Sequence, residues 1–220
     1  MVIGFQMKSG RGLADPDLYV FCLPASIAGY YDNYFRKTVE KHNRLTWVVL
    51  YENKGDRRGT VRLDPRDPAG LPEINFHYHA EDDPQNQNDS QPVVAGLRAA
   101  RKAIASYGWL IDQKEVWPGA RVRSDESLRE AIECNSWGHH ANGTARMGRS
   151  SDAEAVVDGN LKVIGVRNIR ISDASVFPHT PGSFIVTAVV QVSEAAAIKA
   201  IAEARGEDPL AVMDAIMRQA

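Results

Sequence analysis

The chain has 220 residues, of which 44% are hydrophobic and 25% charged, with a formal net charge of −2 and a pI near 6.3. This composition is typical of a globular protein with one sizeable core or two smaller ones. The near-neutral balance provides no basic field for nucleic acid or anionic lipid. No uninterrupted apolar segment approaches the roughly 20 residues that a membrane-spanning helix needs.

The N-terminal sequence and the cysteines lead to one expectation about the cellular compartment. Residues 1–8 contain no charged leader before an apolar run, so a signal peptide is not expected. Without secretion, Cys22 and Cys134 are predicted to be free, buried thiols rather than a disulfide. We therefore expect a cytoplasmic protein.

The first half of the chain has the pattern of several strands. Residues 18–23 form a short apolar run that ends at Pro24, and residues 45–51 form a nearly continuous run typical of a strand covered on both faces. Residues 59–63 and 73–78 alternate between apolar and polar side chains, as half-buried strands do. Several strands before any long helix predict an antiparallel sheet in an α+β domain.

Two capped helices follow these strands. After a polar loop, Asp89 or Ser90 can cap a helix whose first turn accepts Pro92 and which ends at Gly108. Ser124 then caps a second helix. Together these elements predict an antiparallel sheet with flanking helices.

The last third of the chain changes character. Residues 161–165 and 169–171 are predicted to form short strands around a turn. Residues 185–204 are apolar or rich in alanine almost throughout, so this helix is expected to be buried on most sides. Asp208 and Pro209 begin a short terminal helix. Its expected inner face consists of Leu210, Val212, Met213 and Ile216.

Two stretches of the last third carry the functional information. Residues 137–148 read Trp-Gly-His-His-Ala-Asn-Gly-Thr-Ala-Arg-Met-Gly, and residues 168–178 read Asn-Ile-Arg-Ile-Ser-Asp-Ala-Ser-Val-Phe-Pro. A histidine with an unperturbed pKa of about 6.5 is largely neutral at working pH and can accept a proton. Removal of hydride from an alcohol carbon needs such a base for the hydroxyl proton. A lone histidine in a glycine-containing loop is more often structural, so the surrounding pattern decides the interpretation.

Together the two stretches resemble the C-terminal half of a glucose-methanol-choline (GMC) flavoprotein oxidoreductase, a family that oxidises alcohols with FAD. In that family two residues separate the catalytic histidine from a Gly-Thr step that continues to Met-Gly, which implies that His140 is the proton acceptor. The resemblance also implies that His139 borders the flavin and that Asp173 and Ala174 lie against the cofactor. Phe184 and Ile185, before the long apolar helix, are likewise implied to lie beside FAD.

The chain departs from the family pattern in two places. It contains no Gly-x-Gly-x-x-Gly turn, so the N-terminal FAD-binding half is absent from it. Phe184 stands where the family places a second catalytic residue, His or Asn. Because a phenyl ring neither accepts nor donates a proton, Asn142, His139 and His179 are the candidate replacements.

The resemblance implies a substrate-binding domain at residues 1–136 and, at residues 137–220, the catalytic loop with a strand-helix piece of an FAD-binding α/β domain. The implied function is FAD-dependent oxidation of a small-molecule alcohol, together with an N-terminal FAD-binding half or subunit. Two alternatives remain open. One is a non-catalytic remnant or a subunit that is inactive alone, and the other is a hydroxynitrile lyase that uses the same histidine and FAD.

Two further expectations concern ligands and partners. No metal site is predicted, because His77 and His79 share a strand face without a third ligand nearby in sequence. The strand at 168–172 and the helix at 185–204 would expose unpaired backbone groups and apolar surface if left uncovered. The isolated chain is therefore expected to bind a partner subunit, or to self-associate in its absence.

Overall fold

The computed structural model describes residues 3–10, 12–52, 59–78, 90–108 and 113–218. The chain divides into two compact units, unit 1 (Met1–Trp137) and unit 2 (Gly138–Ala220). His79, one of the two histidines considered as metal ligands, lies outside the described residues. Within those residues no group of three His, Cys, Asp or Glu side chains is placed to hold a metal ion.

Unit 1 combines strands with flanking helices. In chain order its elements are β1 (Ile3–Met7), β2 (Leu18–Leu23), α1 (Tyr34–Glu40), β3 (Thr46–Tyr51), β4 (Thr60–Arg62), β5 (Glu73–Asn75), α2 (Ser90–Ala105) and α3 (Asp125–Glu133). Strands β1, β2 and β3 form one antiparallel sheet in that order, and β4 pairs with β5 in a second. The predicted α+β class is confirmed.

The core of unit 1 lies between the three-stranded sheet and α2. Strand β2 buries Leu18, Val20 and Cys22, since alternate side chains of a strand point to the same face. Helix α2 packs against β2 and β3. Gly96 permits this contact, because a Cβ at this position would lie 2.4 Å from Cγ1 of Val49.

A second cluster joins α2 to α3. Leu128 is fully buried and packs with Val94 and Ile132. As predicted, Ser124 caps α3, and its hydroxyl accepts a hydrogen bond from the backbone N–H of Ser127.

Unit 2 is mainly irregular before two helices. Its described residues include a short 3₁₀ helix (Ala174–Val176), then α4 (Val186–Arg205) and α5 (Pro209–Met217), which pack against each other. The core beneath the irregular part is an apolar cluster of Val157, Leu161, Val176 and Ala196. Asp208 caps α5 as predicted, accepting from the backbone N–H of Leu210.

The two short strands predicted in the last third are not formed. An isolated bridge between Lys162 and Arg170 takes their place. Leu161 and Asn168 adopt left-handed φ values of 64° and 61°, and Gly165 adopts 79°. Each left-handed residue interrupts the extended backbone that a continuous strand requires.

Two helices are less buried than the sequence predicts. In α4 only Ala196 and Ala202 are buried, whereas Val186 and Val190 are 68% and 51% exposed. In α5 only Val212 of the expected inner face is buried. Within this chain the prediction is wrong, because α4 is covered only where it meets the apolar cluster around Val157 and α5, and α5 is covered only where it meets α4. The other three residues of that face, Leu210, Met213 and Ile216, are exposed.

The remaining expectations concern the thiols and the membrane. Both cysteines are free, as predicted, and Cys22 is buried, but Cys134 is exposed rather than buried. It directly follows α3. Across the described ranges, no helix combines the length and apolar character needed to cross a bilayer.

Glu203, near the end of α4, joins two cationic side chains of unit 2. Its carboxylate accepts from Lys162 Nζ at 2.5 Å and from Arg170 Nη2. The hydrogen bonds from Lys162 and Arg170 hold the pKa of Glu203 below its ordinary value of 4.5. The ionised carboxylate therefore stabilises the folded state, and this contribution is lost as the pH falls through the lowered pKa.

We expect Glu203→Gln to lower Tm slightly at neutral pH, on the order of 1–2 °C for an exposed ion pair. The difference from the unsubstituted chain should be fully present above pH 4.5 and vanish below the lowered pKa. Thermal denaturation between pH 3 and 7 measures it. Glu207→Gln is the control. The Glu207 carboxylate lies 4.0 Å from Arg205, so its ion pair is weaker than that of Glu203 and its removal should change Tm less. An unchanged Tm difference at acid pH would contradict the assignment.

Candidate active site

His140 lies in a loop of unit 2 that is fixed by a backbone ladder. We call residues 139–148 the His140 loop. Three of its alternate N–H groups donate to three successive carbonyl groups of the 3₁₀ helix. The bonds run from Gly143 to Ala174 (3.2 Å), from Ala145 to Ser175 (2.9 Å) and from Met147 to Val176 (2.8 Å). The two stretches singled out by sequence are therefore adjacent in space.

Two glycines allow this close approach. Gly143 has φ of +80°, and a Cβ there would lie 3.2 Å from the carbonyl oxygen of Phe177. At Gly148 a Cβ would lie 2.8 Å from that of Ala155. A side chain at either position would push the loop away from its neighbours.

The imidazole of His140 is partly exposed and borders two other rings. The Phe184 ring meets it edge to face, with centroids 5.8 Å apart and planes at 66°. The His139 ring lies 6.4 Å away at 39°. Within the described residues the His140 ring nitrogens make no hydrogen bond. One of them is therefore open to accept a proton from a bound molecule.

Asn142 connects the His140 loop to the segment before α4. Its Nδ2 donates to the carbonyl oxygen of His140 at 2.8 Å and approaches Thr180 Oγ1 at 3.3 Å. Sequence reasoning did not identify Thr180, which lies 38 residues further along the chain. No local sequence signal could have shown this pairing.

The family of the chain follows from comparison with known proteins. The model of the GMC oxidoreductase C-terminal domain matches residues 55–193. The chain belongs to the GMC oxidoreductase family. The resemblance inferred from the two sequence stretches is thereby confirmed.

Individual GMC relatives and solved structures agree with this family. An oxygen-dependent choline dehydrogenase from Sinorhizobium medicae is 32% identical over 210 residues, covering 93% of this chain and 35% of that protein. A glucose methanol choline oxidoreductase from Aspergillus terreus is 36% identical over 153 residues, 69% of this chain and 24% of the relative. Formate oxidase from Aspergillus oryzae, solved in work on FAD modification, has a TM-score of 0.74 and 26% identity. The match covers 88% of this chain and 33% of the formate oxidase chain.

The chain thus spans about a third of the length of the choline dehydrogenase and the formate oxidase. Its predicted GMC site residues fall into two groups. His139, His140 and Phe184 are joined by ring contacts. Ala174 is joined to the His140 loop by the ladder, and Asp173 directly precedes it.

Asp173 serves locally as a cap. Its carboxylate accepts from the backbone N–H of Ser175 at 2.8 Å, at the start of the 3₁₀ helix. Hydrogen bonds from the Ser175 side chain and backbone hold the pKa of Asp173 below its usual range. An exposed, ionised carboxylate therefore stands beside the segment that carries Ala174.

Phe184 and Ile185 differ in what they offer to a ligand. Phe184 is 52% exposed, so its ring is accessible, whereas Ile185 is 9% exposed and its side chain is buried. Ile185 directly precedes α4, and no side chain caps the start of this helix.

The candidates for the second GMC catalytic residue are not equivalent. The amide nitrogen of Asn142 is engaged by His140 and Thr180. His139 is the nearer imidazole, at 6.4 Å between ring centroids. His179 is exposed, and within the described residues no ring contact joins it to His140.

Proposed function

We propose that this chain supplies the proton acceptor, His140, for FAD-dependent oxidation of a small alcohol. The observation that carries the proposal is the combination of a fixed loop and an imidazole without a hydrogen bond among the described residues. A neutral imidazole in such a position can accept the proton of a bound hydroxyl group as the neighbouring C–H bond breaks.

The residues around His140 would contact one edge of a flavin ring. The start of α4 has no side-chain cap, so its first N–H groups are available to acceptor atoms. The carbonyl oxygens of the flavin pyrimidine are acceptors of this kind.

His139, Phe184 and Ala174 would hold the ring, with Asp173 beside them and the Ile185 backbone at the helix start. When bound, FAD would accept the hydride from the alcohol carbon. This chain offers no counterpart for the diphosphate, because it contains no glycine-rich phosphate turn.

Phe184 supports a single-base form of the reaction. Its edge-to-face contact restricts rotation of the His140 ring and covers one side of it with apolar surface. A phenyl ring cannot share the proton, so His140 would receive it without a second polar group at that position. The hydroxyl group would then approach in the plane of the imidazole, towards the lone pair of the unprotonated ring nitrogen.

A partner that carries the FAD-binding half completes the proposal. Phe184, Val186 and Val190 are each more than half exposed at the start of α4. Apolar surface of this kind beside a functional loop is typical of a covered interface. We propose that the FAD-binding half covers it, and that copies of the chain associate through it in the absence of that half.

The isolated chain is expected to lose FAD during gel filtration. The contacts that this chain offers form one wall of a cleft. Their binding free energy does not offset the entropy cost of ordering the cofactor. Flavin absorbance across the protein peak measures retention. Stoichiometric flavin in that peak would contradict the requirement for a second half.

The same experiment is then repeated with the FAD-binding half of a GMC relative, made as a separate chain. Anaerobic addition of a primary alcohol should bleach the flavin absorbance of the complex. Cleavage of a cyanohydrin without bleaching would support the lyase instead. Flavin retention with neither reaction would indicate a non-catalytic remnant.

A further inference from the structure

We infer that Asn142 is a positioning residue for His140, acting by tying the main chain of His140 to Thr180. This inference rests on the proposed role of His140. Asn142 itself would not touch the substrate or exchange protons. It would fix the position of the imidazole.

The hydrogen-bond geometry fixes the orientation of the Asn142 amide. The carbonyl oxygen of His140, 2.8 Å away, can only accept, so the group that faces it must be the amide NH₂. The same nitrogen lies 3.3 Å from Thr180 Oγ1. An NH₂ group has two hydrogens, and these two acceptors use both. Asn142 therefore has no donor left for a substrate.

The position of this bond explains why it acts on His140. The backbone ladder fixes the loop from Gly143 onward. Asn142 extends that attachment back to the carbonyl group of His140 and joins it to a segment 38 residues away. That segment leads into Phe184, whose ring touches the imidazole. The main chain of His140, through Asn142, and its ring are thus both connected to the segment from Thr180 to Phe184.

Paired substitutions separate this role from general loss of structure. Asn142→Asp keeps the shape and places a carboxylate against the His140 carbonyl oxygen. Thr180→Val keeps the shape and removes the acceptor, whereas Thr180→Ser keeps the oxygen. Asn135→Asp is the matched control, because Asn135 Nδ2 donates to the carbonyl of Ala131 at 2.9 Å in unit 1.

The first measurement uses NMR of the whole chain with labelled histidine rings. The chain has six histidines, and the signal lost in His140→Ala identifies that ring. We expect Asn142→Asp and Thr180→Val to shift or broaden this signal. They should also speed exchange of the Gly143 amide roughly two- to tenfold, the range for one neutral hydrogen bond. Thr180→Ser and Asn135→Asp should leave both readouts unchanged.

An unchanged His140 signal in Asn142→Asp and Thr180→Val would overturn the inference. If Asn142→Asp fails to fold, the comparison of Thr180→Val with Thr180→Ser tests the inference by itself. Equal effects of these two variants would also overturn it, because only one of them removes the oxygen.

The second measurement uses the chain combined with an FAD-binding half. A positioning role predicts that Thr180→Val lowers kcat with little change in KM, and that Thr180→Ser restores kcat. The two proposals fail differently. Full activity of His140→Ala would refute the proposed function, while the ring signals of the chain alone would still test the Asn142 inference.

Discussion

Replacement of His140 by alanine is expected to lower turnover by about 10²- to 10⁴-fold, the usual contribution of a general base. The assay requires the chain combined with an FAD-binding half and an alcohol substrate. The loss should be large because the ring contacts of His140 are to Phe184 and His139, and Phe184 cannot accept a proton. Steady-state rates and the rate of flavin bleaching measure the effect.

Two histidine variants serve as controls for His140→Ala. His139→Ala should cost less, since its proposed role is contact with the flavin ring. His42→Ala should leave turnover unchanged, because His42 is exposed in unit 1. Equal losses for His139 and His140 would contradict the assignment of the base to His140.

Replacement of Leu128 by alanine is expected to lower the free energy of unfolding by about 2–5 kcal/mol. Leu128 is fully buried between α2 and α3, so the substitution removes apolar contacts and leaves a cavity. Urea denaturation followed by circular dichroism measures the change. Since the chain has two units, the transition of unit 1 must be resolved from that of unit 2.

Leu71→Ala is the matched control for Leu128→Ala. It makes the same chemical change in unit 1 at a side chain that is 95% exposed. Its effect should stay within about 0.5 kcal/mol, as at other exposed positions. Similar losses at the two positions would mean that the α2–α3 cluster is not the core of this unit.

The elements that sequence predicted best are those specified by neighbouring residues. Ser124 and Asp208 cap their helices through bonds to N–H groups two or three residues away, which a short motif can encode. Strand β1 was missed because its extended form depends on pairing with β2, such as Phe5 with Val20. The left-handed conformation of Leu161 could not be predicted either, because leucine rarely adopts it.

The candidate site shows the same division. The Gly-Thr step after His140 indicated the position of the loop, whereas the expected contact of Asp173 with the cofactor stays a prediction. The sequence did not show that Asn142 would reach Thr180, because that contact depends on how the chain returns after 38 residues. Nor did it distinguish the exposed Phe184 from the buried Ile185, which are adjacent in the same apolar run.

The ladder between the His140 loop and the 3₁₀ helix has a consequence for how the chain folds. It joins segments of one unit, and the entropy cost of closing such a loop grows only with the logarithm of its length. Contacts of modest sequence separation form early in folding. Because the loop and the 3₁₀ helix both belong to unit 2, the arrangement around His140 can form from contacts within that unit alone.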